Sequence, residues 1–313
     1  MKILVTGSSG LVGTAVCKKL KMDFKDDDFY CLTSRLCDLR DYNEVERIFS
    51  NFLPDVVIHL ASRVGGLYGN MNNNYTFLTD NLKINMNVLQ ASKQYQVKKL
   101  INILSTCIFP DQGVIYPLTS DQILNGEPHY SNEGYAYSKR MLFVGCNLLL
   151  KTDQNIKIVN LIPTNLYGDN DNYHLENSHV IPGLIHKCHL AKMNGGDFFI
   201  KGSGMAYRQF LHVDDFADVI SRFVNFNDSA TLIVSPPKES EITIRTLVDT
   251  IAETFEFKGR IVYESDFADG QIKKTTDSAE LTNFFPDFTF TSIKDGLKST
   301  IEYFVQNYHQ IRK

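Results

Sequence analysis

Apolar positions along this chain fall into two alternating patterns. Short continuous runs at 2–6, 29–34, 55–61, 100–104 and 156–162 predict strands buried on both faces. Between them, helical spacing marks 14–20, 42–52, about 75–95 and a stretch that begins near Tyr135. Strand alternating with helix predicts an α/β fold built on a doubly wound parallel sheet.

The regularity breaks after Gly168. Asp169 to Asn172 read as loop, His179 to Lys187 open a helix, and Phe198 to Ile200 form a short strand before the turn Gly202-Ser203-Gly204. Phe210 to Val213 precede a helix expected to be capped by Asp214 and Asp215. Leu232 to Val234 form a strand, and 243–255 and 292–307 are amphipathic helices. The expected organisation is a first domain over 1–165, to which segments about 205–236 return. A smaller α/β domain over 166–313 is interleaved with it and closes over the ligand.

Two helices carry more apolar surface than one core-facing stripe needs. The helix over 75–95 bears Phe77, Leu78, Leu82, Ile84, Met86, Val88 and Leu89, and the one after Tyr135 bears Leu142, Phe143, Val144, Leu148, Leu149 and Leu150. They are expected to pair across a homodimer interface, the alternative being burial under the second domain.

The chain has 313 residues, 43% of them apolar, and a net charge of -4. That balance argues against a nucleic-acid groove. No run reaches the roughly 18 apolar residues of a membrane-spanning helix. The six cysteines show no C-x-x-C spacing, which argues against a metal site. Scattered thiols and a strand starting at Lys2, with no room for a signal peptide, predict a reduced, cytoplasmic protein.

Gly7-Ser8-Ser9-Gly10-Leu11-Val12-Gly13 stands between the first strand and the first helix. In this setting the first glycine allows a tight turn, the second lets the backbone approach a pyrophosphate, and the third lets helix pack on strand. The free N–H groups of the helix start face the anion. This is the dinucleotide-binding arrangement of a Rossmann sheet. At the end of the second strand stands Ser34-Arg35, with no acid before Asp38. An arginine there points to the 2′-phosphate of NADP(H), and Asp38-Leu39 to its adenine. His59, in mid-strand, reads as a core histidine.

Tyr135 and Lys139 lie one turn apart on one helix face. A nearby ammonium is expected to favour the phenolate and pull its pKa below the usual value of about 10. Ser105 ends the preceding strand. Ser105, Tyr135 and Lys139 together resemble the Ser/Tyr/Lys set of the short-chain dehydrogenase/reductase superfamily, in its extended sugar-nucleotide branch. The resemblance narrows at Ser105-Thr106-Cys107-Ile108-Phe109-Pro110, at Ile162 to Gly168, at Asn177 to Pro182, at Arg208-Gln209-Phe210 and at Asp269-Gly270. Those stretches are similar to the GDP-L-fucose synthase family, and the similarity runs from Lys2 to about Tyr308.

The resemblance implies conversion of GDP-4-keto-6-deoxy-D-mannose to GDP-L-fucose, by epimerisation at C3 and C5 and NADPH-dependent reduction at C4. It implies Cys107 as base and His179 as the acid on the opposite face, with free pKa values near about 8.5 and 6.5 that suit proton exchange. Ser105 and Tyr135 stabilise the enolate oxygen, and Tyr135 then protonates O4, assisted by Lys139. Without the resemblance, Cys107 reads as a structural thiol and His179 as a cap or core histidine. Implied cofactor contacts include Ala61, Lys139, Pro163, Thr164, Asn165, Leu166 and His179. Implied substrate contacts are Lys187, Arg208, Asp269 and Lys201. Where the family usually has Trp this chain has Lys201, which either replaces stacking with a charge contact or points away. A 4,6-dehydratase would carry Asp-Glu where Thr106-Cys107 stand. An epimerase-reductase acting on another nucleotide sugar, and a non-catalytic NADP-binding regulator, are the remaining alternatives.

Overall fold

The structure, a computed structural model, describes residues 1–267 and 270–313. Strands β1 (Lys2–Thr6), β2 (Asp28–Leu32), β3 (Val56–His59), β4 (Lys99–Ile103) and β5 (Lys157–Pro163) alternate with helices α1 (Leu11–Asp23), α2 (Tyr42–Phe52), α3 (Leu67–Gln94) and α4 (Glu133–Thr152). Then follow β6 (Asn165–Tyr167), α5 (Val180–Asn194), β7 (Phe198–Lys201), β8 (Tyr207–Arg208), β9 (Phe210–His212), α6 (Val213–Val224) and β10 (Ala230–Val234). β11 (Ile242–Thr243), α7 (Ile244–Thr254), β12 (Ile261–Glu264), α8 (Ala279–Phe284) and α9 (Ile293–Gln306) complete the described elements.

Six strands form one parallel sheet in the order β10-β5-β4-β3-β1-β2. Every residue of β3 and β4 is buried, which is why these strands read as unbroken apolar runs. Thr6 pairs with Leu32 on one side and His59 on the other, so the strands' C-terminal ends meet along one edge. His59 is a satisfied core residue: Nδ1 meets Thr6 Oγ1 at 2.9 Å and Nε2 meets Asn85 Oδ1 at 3.1 Å. Burial pushes its pKa down to about 3, so it stays neutral.

α6 and β10 follow β9 in sequence, yet they pack with the first sheet. Phe216, Ile220 and Phe223 of α6 share a core with Val16 and Leu20 of α1. A separate core joins Leu184 and Ile185 of α5, Phe198 of β7, Leu247 and Ile251 of α7, and Leu297 and Phe304 of α9.

Two local expectations change. α3 begins at Leu67, well before residue 75, with a kink at Asn73 (φ -134°, ψ 21°). Its first turns, rich in Gly and Asn, have poor helix propensity. Side chains hold them instead: Asn70 Nδ2 donates to the Gly65 carbonyl at 2.6 Å, and Asn73 Nδ2 to the Gly69 carbonyl at 2.9 Å. The cap of α6 is His212, whose Nδ1 accepts the Asp214 N–H at 3.3 Å, and not an aspartate. Asp215 instead binds Thr291 through its backbone N–H (2.8 Å) and hydroxyl (2.7 Å).

α3 and α4 bury Phe77, Val88 and Leu89 with Leu142, Cys146 and Leu149. Their other faces leave apolar side chains in solvent: Tyr75 is 80% exposed, Leu148 56% and Met141 45%. Among the described residues no helix is long and apolar enough to cross a membrane.

Candidate active site

A cavity of about 930 Å³ opens along the C-terminal edge of the sheet and runs from the glycine loop to α5 and β7. Ligands of open α/β sheets bind at this edge.

One end is shaped by the glycine loop. A Cβ on Gly13 would lie 2.2 Å from the Gly7 carbonyl oxygen, so the helix start packs on the loop only as glycine. A Cβ on Gly10 would meet only Gly7 O, at 3.5 Å, beside the cavity it lines. α1 starts without a capping side chain and without an acid in its first turn. Its first N–H groups are therefore left without a side-chain cap beside the cavity that Gly10 lines, an arrangement suited to an anion such as a pyrophosphate. Gly7, Ser9, Leu11, Val12 and Gly13 share this wall. Ser8 does not: it is buried, and its N–H donates to the Leu32 carbonyl at 3.1 Å.

Beyond β2, Ser34, Asp38 and Leu39 line the cavity, while Arg35 is exposed and off its wall. The arginine that reaches the wall is Arg40, which sequence reasoning missed. It forks onto Asp38, with Nε to Oδ1 at 3.0 Å and Nη2 to Oδ2 at 2.8 Å. Its Nη1 reaches Asp80 at 3.4 Å, which Arg63 also holds at 2.6 Å. The Arg40 hydrogen bonds keep the Asp38 carboxyl below the usual carboxylate range. Ala61, Pro163, Thr164, Asn165 and Leu166 line the same end.

At the centre, Ser105, Cys107, Tyr135 and Lys139 come together on one wall. Ser105 begins a short turn over Thr106–Ile108, and its Oγ accepts the Cys107 N–H at 3.2 Å. Cys107 Sγ accepts a hydrogen bond from Asn132 Nδ2 at 2.9 Å, and Lys274 Nζ stands 4.0 Å away. Burial pushes the Lys274 ammonium down, and the adjacent Cys107 opposes that shift. Sequence spacing revealed neither Asn132 nor Lys274.

Tyr135 corrects an expectation. Burial pushes its phenol above the usual value, against the hydroxyls of Ser62 and Ser105, which act to lower it. Lys139 does not reverse this. It is 2% exposed, its Nζ donates to the Ile103 carbonyl at 2.8 Å, and it lies 5.9 Å from the Tyr135 ring centre. Desolvation pushes Lys139 itself down to about 8. Removing both groups from water outweighs their attraction.

The far wall carries His179, Lys187, Lys201 and Arg208. His179 occupies the N-cap position of α5 without making a capping hydrogen bond, and it is exposed to the cavity. Burial lowers the Lys187 ammonium, and the charge of Lys201 lowers it further. Lys201 Nζ sits 5.1 Å from the Tyr68 ring centre and 5.0 Å from that of Phe267, so it is held among aromatic faces. Arg208 directs Nη2 to the Gln271 carbonyl at 2.6 Å. Asp269 lies outside the described residues.

Comparison with known proteins agrees with this geometry. Residues 3–233 match the NAD dependent epimerase/dehydratase family. The GDP-L-fucose synthase of Dictyostelium discoideum is 43% identical, over 99% of this chain and 97% of that protein. A probable GDP-L-fucose synthase of Drosophila melanogaster is 38% identical, over 100% and 99%. The crystal structure of a GDP-L-fucose synthetase from Naegleria fowleri bound to NADP superposes with a TM-score of 0.92 at 38% identity, covering 100% of this chain and 95% of that one. The chain therefore belongs to the NAD dependent epimerase/dehydratase family, in its GDP-L-fucose synthase branch.

Proposed function

We propose that the chain is an NADP(H)-dependent GDP-L-fucose synthase that converts GDP-4-keto-6-deoxy-D-mannose to GDP-L-fucose. The observation that carries this reading is the Cys107 sulfur, with an amide donor at 2.9 Å and an ammonium at 4.0 Å, in the same cavity as Tyr135 and the Gly10 cradle.

The C4 ketone acidifies the hydrogens on C3 and C5. Cys107 removes a proton from one face, and the Asn132 amide N–H and the Lys274 Nζ stand as donors beside the sulfur that must carry the negative form. His179 returns a proton to the other face, which inverts the centre. Ser105 and Tyr135 hold the enolate oxygen. The raised phenol of Tyr135 stays protonated at neutral pH, so it can deliver its proton to O4. Lys139, with a value of about 8, still carries charge at pH 7 and sits beside the phenolate that forms. Bound NADPH supplies the hydride to C4. The residues that would hold it are Gly10 with the start of α1, Ser34, Asp38 and Arg40 at the adenosine end, and Ala61, Lys139 and Pro163 to Leu166 along the edge. Lys187, Lys201 and Arg208 form the cationic wall suited to the GDP diphosphate. The mutual repulsion of Lys187 and Lys201 is what a bound anion relieves.

In this reading, 1–165 with segments about 205–236 forms the cofactor domain, and the rest of 166–313 closes the sugar site. The exposed apolar faces of α3 and α4 form a homodimer interface, and the enzyme works in the cytoplasm, where its six free cysteines remain reduced. The direct test supplies GDP-4-keto-6-deoxymannose and NADPH and follows NADPH absorbance. Consumption with deuterium from D2O entering C3 and C5 is expected, and no consumption refutes the assignment.

A further inference from the structure

Asp171 is a buried carboxylate that the reaction as described leaves unused. It is 4% exposed, lies in the loop between β6 and α5, and borders the same cavity. Oδ1 accepts the Asn172 N–H at 2.7 Å. Oδ2 is buried and has no hydrogen-bond partner among the described residues. Leaving a carboxylate oxygen dry and unpaired is costly, which marks Oδ2 as an acceptor suited to a donor that borders the same cavity.

The charged and titratable groups facing Asp171 are few. His179 approaches from the start of α5, Arg312 from the C-terminal segment, and Tyr173 from the same loop, with Asp169 also acting on Tyr173. Burial raises the Asp171 carboxyl, and His179 is the first influence opposing it. Arg312 directs Nη2 to the Asn170 carbonyl at 2.8 Å, and the Tyr173 hydroxyl makes no hydrogen bond among the described residues. His179 makes no capping bond to its own helix. The backbone before it is fixed: the Gly66 N–H donates to the Asn177 carbonyl, and a Cβ on Gly66 would lie 2.2 Å from Ser178 O. The histidine is thus anchored by its main chain, with its ring uncommitted.

We propose that Asp171 is the positioning residue for His179, its free Oδ2 accepting one ring N–H so that the other nitrogen addresses the sugar as the proton donor. The inference rests on the acid role of His179 proposed above. A carboxylate oxygen that accepts from one ring nitrogen fixes the tautomer and the orientation of the ring, so that the other nitrogen faces the sugar. The protons balance with solvent as the return path. Imidazolium gives one proton to the substrate carbanion and becomes neutral imidazole, keeping its N–H toward Asp171. Cys107 gains the proton removed from the other face and releases it to solvent before it acts as base again. Because His179 is exposed, water restores its proton before the next inversion.

The test compares Asp171→Asn with His179→Gln by the rate of deuterium entry at C3 and C5 from D2O. His179→Gln is expected to lose exchange. Asp171→Asn is expected to lower kcat for exchange on the order of 10- to 100-fold, within the range of acid–base effects. Its KM and NADPH affinity should stay near wild type. Asp171→Ser provides the same readout if the Asn variant does not fold. If His179→Gln loses exchange while the Asp171 variants keep wild-type kcat, the positioning role is overturned and the acid role stands. If His179→Gln keeps full exchange, the acid role fails and the pair falls with it.

Discussion

Asn132 Nδ2 donates to Cys107 Sγ at 2.9 Å, joining the residue before α4 to the turn after β4. The amide places a donor at the sulfur proposed above as the epimerisation base. A hydrogen bond to a charged group is worth about 1.5–3 kcal/mol, or roughly 10- to 100-fold in rate. Asn132→Ala should slow deuterium entry at C3 and C5 by that range and leave NADPH affinity unchanged, as read by fluorescence titration. Exchange at the wild-type rate would remove Asn132 from the mechanism.

How far the sequence carried depended on the range of the interaction. The helix at 42–52 was legible because Asp41 caps it and one face is apolar, both local signals. The glycine loop, Ser105, Tyr135 and Lys139 were legible because their spacing is local or repeats along the sheet edge. The first turns of α3 were not, because side chains of Asn70 and Asn73 stabilise a segment whose propensity is poor. Lys274 reaches Cys107 across 167 residues, a separation that no spacing rule reads. The direction of the Tyr135 shift was missed for a different reason. Pair spacing reports the neighbouring charge, whereas desolvation of the enclosed pair decides the outcome.

Lys139 sets a pH window. Its value falls from 10.5 to about 8 on folding because burial disfavours the charged form. Between these values the unfolded chain binds more protons, so this lysine makes stability rise with pH through that window. The full effect is on the order of 3 kcal/mol for a drop from 10.5 to about 8. Urea unfolding of the ligand-free chain at pH 8 and pH 10 should show wild type gaining relative to Lys139→Met. Lys99, which burial also lowers to about 8, is common to both proteins and cancels. Parallel stability curves would contradict the shift.

Gly10 and Gly13 should separate binding from folding. At Gly10 the backbone is extended and an added methyl meets only Gly7 O at 3.5 Å, so Gly10→Ala keeps its melting temperature. The methyl stands in the cradle, however, and should weaken NADPH binding by roughly tenfold or more, as for a lost charge-assisted contact of about 1.5–3 kcal/mol. At Gly13 the methyl would sit 2.2 Å from Gly7 O, and the loop must move. Gly13→Ala should therefore lose about 1–3 kcal/mol of stability, as overpacking does. Calorimetry and NADPH titration on both variants check the contrast, and equal melting temperatures would refute it.

Leu148 on α4, 56% exposed in the single chain, tests the apolar faces of α3 and α4. Tyr75 and Met86 of α3 and Tyr137 and Met141 of α4 are also exposed. If these faces meet across a two-fold axis, each side chain is buried twice per dimer. Burying one leucine contributes about 1.5–3 kcal/mol, so losing two weakens association by about 3–6 kcal/mol, at least roughly 100-fold. Leu148→Glu adds an unpaired charge at the same place, which costs more. Wild type should sediment at twice the 35.6 kDa chain mass, and Leu148→Glu at one chain mass at the same micromolar concentration. Its circular dichroism should be unchanged, because Leu148 is exposed in the single chain and is not among the buried residues of α4. A wild-type chain that stays monomeric at that concentration would mean that these faces are not a homodimer interface.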